Sequence, residues 1–245
     1  MQFHGVDFAG GDDGGTHKIR VASWREGQPI SIVRVDRRGL VRLVLASAQE
    51  GSASVWRIDA ASGLPLATLG AHGQPAAWIT AARWMNSFGS ARGWRTALRA
   101  RSRVEPRRVT DHESHAALAP MNLRAFKQTW ACICEVLVPL HDAGVSLDPL
   151  AVKAGGCVVC EASAASALRA RGWPSHGFKG GGDPPARLRR DLVERVRGAG
   201  VPLSQSLAEH AISDEAGEML DALVLLLPGA QTVVPVEGAV EGWTY

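Results

Sequence analysis

The sequence predicts an α/β fold: a mixed β-sheet, its first three strands antiparallel and the later ones parallel, flanked by helices and carrying a helical insertion. Three observations predict it. The first sixty residues run strand, strand, strand, helix, strand. Residues 63–150 then change character, becoming rich in arginine, tryptophan and small residues. After them the chain returns to a strand–helix rhythm, as sheet-and-helix folds require. The 245 residues are read as one domain, 1–245, with the mostly helical insertion at 63–150 inside it.

The first strand runs from Phe3 to Phe8, and Lys18 to Trp24 is its hairpin partner across a loop holding Gly10, Gly11, Gly14 and Gly15. Ile30 to Asp36 alternates closely enough for a third strand. Leu40, Leu43, Val44 and Ala48 then recur at helical spacing. "SASVWRIDA" is a fourth strand ending on Asp59. Within the insertion, "ITAARWM" and "LRAFKQTWACICEVLVPLHDAG" have helical character. "GCVVCE" is a buried strand, "ASAASALRARG" a helix, and "GFKGGGDPP" a loop. "ARLRRDLVERVR" is an amphipathic helix with Leu188, Leu192, Val193 and Val196 inward. "VPLSQSLAEHAI" is ambiguous. "SDEAGEMLDALVLLL" is a helix expected to start at Ser213, an N-cap residue with acids in the first turn. The tail "QTVVPVEGAVEGWTY" is expected to add a short final strand.

Composition narrows the class. At 46% hydrophobic and 21% charged residues, the chain has the make-up of a globular protein with a core. No basic-then-apolar leader opens it. Its longest apolar run, Ala222 to Leu227, falls far short of the roughly 20 residues a membrane span needs. The expectation is a soluble, cytoplasmic protein with no membrane contact. Cys157 and Cys160 form a C-x-x-C, but on a strand residues three apart face opposite ways. With Cys132 and Cys134 they read as buried thiols of a reducing compartment.

Net charge is +3, and its distribution is uneven. Arg83 to Arg108 holds eight arginines and one acid, Glu105, with Trp84 and Trp94 interleaved. A basic stretch with aromatics suits a phosphate backbone. Arg95, Arg99, Arg101, Arg103 and Arg108 are therefore candidate nucleic-acid contacts; a solvated helix face explains the cluster equally well. The tryptophans leave room for a protein partner or a homodimer through the insertion.

The acids at strand ends carry the chemistry. Asp7 ends the first strand, Asp59 the fourth and Glu161 the fifth. Strand ends next to parallel neighbours are where sites form. Asp221 continues an apolar helix face with Val224 and Leu225, where an unpaired carboxylate is costly. Glu218 is its substitute if the helical phase differs. Such carboxylates can converge on one or two hard cations, Mg²⁺ or Mn²⁺.

The strand order resembles the start of the ribonuclease-H-like fold. More narrowly, the chain is similar to the domain-of-unknown-function 429 family, predicted ribonuclease-H-like nucleases. The resemblance lies in "GVDFAGG" with "KIRVASW", "IDAASGLP", "RRVTDHES" with "LRAFKQTW", "VVCEASAAS", "GFKGG", "LDALVLLL" and the terminal "EGWTY", in that order along nearly the whole chain. It implies a metal-dependent nuclease whose carboxylate set is Asp7, Asp59, Glu161 and Asp221. It also places Lys179, Arg108 and Asp111 near the site, with Lys179 on phosphate or water. The chain departs from the family at Ala60-Ala61-Ser62 and in "ASAAS", where prolines often follow the acids.

Two other classes are weighed. A non-catalytic nucleic-acid-binding protein on this fold would lack an acid, whereas all four are present. An ATP-dependent phosphotransferase would use the glycine loop after Asp7 as a phosphate cradle. Such enzymes need two copies of the fold, and 245 residues with one strand set supply one.

Overall fold

The computed structural model describes residues 1–114, 118–229 and 233–245. One six-stranded mixed sheet organises them. Its strands are β1 (Gln2–Asp7), β2 (Ile19–Arg25), β3 (Ser31–Val35), β4 (Ser54–Asp59), β5 (Ser146–Asp148) and β6 (Cys157–Ala162). Their order across the sheet is β3-β2-β1-β4-β6-β5. β1, β2 and β3 are antiparallel neighbours, while β4, β6 and β5 run parallel to β1 or to one another. The chain between β1 and β4 and between β4 and β6 carries helices, whereas β5 returns to its parallel neighbour β6 through residues 149–156 without one.

Alternation along the strands builds two cores. Val6, Trp56, Ile58 and Val159 face one side and pack under α1 (Arg37–Gln49) and the insertion. Ala22 and Ala162 face the other, under the C-terminal helices. The insertion comprises α2 (Leu66–Ala71), α3 (Trp78–Asn86), α4 (Ala91–Arg101), α5 (Val109–Glu113), α6 (Phe126–Ala131), a π-helical stretch (Cys132–Leu137) and α7 (Val138–Asp142). The second face holds α8 (Ala164–Ala170), α9 (Asp183–Gly198), α10 (Gln205–Ser213) and α11 (Glu218–Val224). Gly5 decides how close the last of these comes. A Cβ there would lie 2.1 Å from the Ala222 carbonyl oxygen. Helix α11 therefore rests directly on the central strand, one residue past Asp221.

Several expectations need correction. The segment 63–150 is mostly helical, but it also holds β5, which pairs parallel with β6. Ser213 ends α10 instead of capping α11. The chain breaks at Gly217, at φ +71°, and Asp214 accepts the Met219 N–H at 2.8 Å. The ambiguous stretch before it is α10, capped by Ser204. The tail contributes one bridge, Thr244 alongside Glu161, after a short α12 (Gly238–Glu241); residues 230–232 of that expectation lie outside the described residues. Trp78 and Trp94 are buried, so these two tryptophans are core and offer nothing to a partner. All four cysteines are buried free thiols. Among the described residues no helix is long and apolar enough to cross a membrane.

Candidate active site

Asp7 and Asp59 are direct neighbours in the parallel register of β1 and β4, so their side chains leave the sheet together at the strand ends. They emerge on the face covered by α11. Gln128 holds the two ends side by side, donating to the Phe8 carbonyl at 2.9 Å and the Asp59 carbonyl at 2.8 Å. Asp221, 5% exposed, is buried on α11 against them. Lys179 completes the group, its Nζ 2.6 Å from Asp221 Oδ2.

The electrostatics are those of acids crowded out of water. Burial, then the charges of Asp221 and Asp59, push the Asp7 carboxyl up to about 8. Burial and then Asp221 push Asp59 up to about 7, against one hydrogen bond from the Ala164 N–H at 3.1 Å. Asp221 is raised as well, by burial in the first place, although Lys179 opposes this. Burial works against the Lys179 ammonium, but Asp221, Asp7 and Asp59 together hold it above its ordinary value. Three carboxylates thus share one ammonium.

Glu161 does not join them. In β6 it is in register with Ile58, while Ala162 is the partner of Asp59. A shift of one residue along a strand reverses the face. The Glu161 carboxylate is accordingly locked into a buried network on the opposite side. Arg108 donates to it at 2.7 Å through both Nη atoms. Ser62 donates through its N–H at 2.8 Å and its hydroxyl at 2.7 Å, and Thr244 through its hydroxyl at 2.7 Å. Asp111 takes the remaining face of the same guanidinium, with Nη2 at 2.7 Å. Burial alone would raise Glu161, yet Arg108 and these hydrogen bonds bring it below the ordinary glutamate range. Its oxygens are already filled.

Arg108 is corrected with it. Only 2% exposed, it is an internal counter-ion and offers nothing to a nucleic-acid backbone. Arg95 and Arg99 both bond Glu105, at 3.0 and 2.9 Å. Arg99, Arg101 and Arg103 are exposed.

Two supporting residues, Gln128 and Arg189, escape a sequence reading, and Glu218, the expected substitute for Asp221, lies beside the site. Gln128 ties the strand ends, although it lies within "LRAFKQTW". Arg189, 2% exposed on α9, donates to the carbonyls of Phe178 at 2.7 Å, Gly180 at 2.9 Å and Ile212 at 2.6 Å, which fixes the loop that presents Lys179. Glu218 adds to the charge felt by Asp7 and Asp221, and is held by Arg20 at 2.7 Å. The glycine loop after Asp7 is closed down: Arg37 donates to the carbonyls of Ala9 and Gly11 and pairs with Glu135 at 2.6 Å. A cavity of about 380 Å³ beside α8, bordered by Arg57, Arg169 and Trp243, includes none of the three aspartates.

The donor set suits a hard cation. The Asp7 carboxylate accepts no hydrogen bond and makes no ion pair among the described residues, and that of Asp59 has only the Ala164 N–H. Oxygen ligands with unused lone pairs beside unbalanced negative charge are what Mg²⁺ or Mn²⁺ takes. In the present arrangement no group of three or more His, Cys, Asp or Glu side chains among the described residues is drawn together to hold a metal, and the Lys179 ammonium lies on Asp221. No family model matches the chain, and neither the curated proteins nor the solved structures give a match. Function has to be argued from the side chains themselves.

Proposed function

We propose that this chain is a metal-dependent nuclease of the ribonuclease-H-like kind, hydrolysing phosphodiester bonds in nucleic acid. The observation that carries the reading is Asp7 and Asp59 at adjacent parallel strand ends with Asp221 of α11 beside them, the Asp7 carboxylate without a donor among the described residues and that of Asp59 with only the Ala164 N–H. The sheet order, antiparallel then parallel about β1, supports the same fold class.

Asp7, Asp59 and Asp221 would hold one or two Mg²⁺ or Mn²⁺ ions. Such a cation supplies an activated water and neutralises charge developing on the phosphate. Around it the chain does three things. Gln128 keeps the first two carboxylates adjacent. The Arg189-clamped loop aims Lys179 at the phosphate. Exposed Arg99, Arg101 and Arg103 meet the backbone of the strand, which makes binding salt-sensitive. Arg95 is partly buried and supports that surface through Glu105.

The test is a cleavage assay on labelled single-stranded, duplex, hybrid and branched nucleic acids with Mg²⁺ or Mn²⁺. Cleavage that needs the metal supports the reading. Binding without cleavage on any substrate would point to a non-catalytic nucleic-acid-binding protein. Replacing Arg101 and Arg103 together by Gln is expected to weaken binding roughly tenfold at about 150 mM salt and to lower the salt slope by about 2, because each arginine would neutralise one phosphate. Unchanged binding would remove this surface from the interface.

A further inference from the structure

Lys179 stands where a cation belongs. Its Nζ is 2.6 Å from Asp221 Oδ2, and its charge also acts on Asp7 and Asp59. The ammonium is not a loose surface group that drifted there. Its neighbour Phe178 is 3% exposed, and Arg189 anchors the carbonyls on both sides of Lys179. Gly180 N–H donates to the Glu215 carbonyl at 2.7 Å, fixing the loop to the start of α11. A Cβ at Gly217 would come within 3.0 Å of the Phe178 ring, so the two segments meet at close packing. The Lys179 Cγ packs beside Gly217, but the side chain is 55% exposed overall, which leaves its outer carbons and ammonium free to swing.

We propose that Lys179 is a tethered counter-ion that occupies the aspartate cluster in the metal-free protein and gives way when a divalent cation binds. The inference rests on the cation reading above and adds a competition to it. Lysine and metal seek the same Asp221 oxygen, so each weakens the other by the same factor. Once displaced, the ammonium stays within reach of the cluster on its fixed loop, placed to meet a phosphate. The lysine thereby keeps the crowded acids tolerable without metal and becomes a substrate contact with it.

The experiment is a calorimetric titration of Mn²⁺ into wild type, Lys179→Gln and Lys179→Arg, at low salt and without nucleic acid. Removing the competing charge is expected to tighten Mn²⁺ binding about tenfold in Lys179→Gln, the size of a modest like-charge contact near a protein surface. Lys179→Arg, which keeps the charge, should stay close to wild type. Binding seen only in Lys179→Gln would also support the competition. Equal or weaker Mn²⁺ affinity in Lys179→Gln, with wild type binding normally, would overturn the competition and leave the cation reading intact. No Mn²⁺ binding by any of the three would overturn both. Lys179→Gln leaves the buried Asp221 without its cation, so a melting curve for each variant checks folding, and Lys179→Arg keeps the charge as the control.

Discussion

Asp7→Asn is expected to reduce metal-dependent cleavage by about a thousandfold or more, the scale of a lost metal ligand, while making the cation-free protein more stable at pH 8. The two effects have one cause. The Asp7 carboxyl is raised to about 8 and Asp59 to about 7, by burial first and then by neighbouring acids. The folded protein therefore holds protons that the unfolded chain has released. Carboxyls raised in this way contribute stability that is fully present below the ordinary aspartate value near 4 and is lost as pH rises through about 7 to 8. At pH 8 an ionised Asp7 strains the cluster, and an uncharged amide of the same shape relieves it. A gain on the order of 1 kcal/mol would raise the Tm by a few degrees in a domain of this size. Thermal melts from pH 5 to pH 8.5 without metal check the sign: wild-type stability should fall across this window, and Asp7→Asn should fall less. A loss of stability in Asp7→Asn at pH 8 would mean that its carboxylate is satisfied in a way the structure does not show.

Arg108→Met is expected to be among the most damaging single changes on the other face of the sheet. It would leave Glu161 and Asp111 buried without their cation, which typically costs about 3–5 kcal/mol, or a Tm loss on the order of 10 °C for a chain of this length. The network it would break joins β6, the start of α5 and the C-terminal tail, since Arg108 Nη1 also donates to the Glu241 carbonyl at 3.0 Å. The sign with pH is opposite to that of the aspartates. Glu161 is held below its ordinary value, so its contribution is present at neutral pH and lost on acidification. Arg101→Met, at an exposed position, should leave the Tm nearly unchanged. If Arg108→Met melted like wild type, the network would be ornamental and Glu161 would be free for another role.

The strands are legible in the sequence because alternation and turn residues announce them, and the pair Asp7 and Asp59 is legible as acids closing two such strands. What the sequence conceals is a parity. Glu161 also closes a strand, but it pairs with Ile58 where a site acid would pair with Asp59, and a period of two sends it to the other face. Arg108 sits in an arginine-rich run and reads as surface, since arginines are seldom buried. Its burial depends on Glu161 and Asp111, and only folding brings Glu161 to it. β5, three residues long, has too little alternation to register. The start of α11 is easily misplaced because Ser213 is a good cap in isolation, and only Gly217 at positive φ shows where the helix restarts. Asp221 is legible from helical phase, which survives such a shift because the spacing to Val224 and Leu225 does not change.

The most direct measurement is Mn²⁺ binding at pH 8 to wild type, Asp59→Asn and Glu161→Gln, followed by calorimetry in two buffers of different ionisation enthalpy. A cation held by Asp7, Asp59 and Asp221 must displace the proton that Asp7, raised to about 8, still shares at this pH. The expected result is binding with proton release in wild type, loss of that binding in Asp59→Asn, and retention in Glu161→Gln. Binding that survives Asp59→Asn but vanishes in Glu161→Gln, or no binding in wild type, would contradict a cation site at these strand ends.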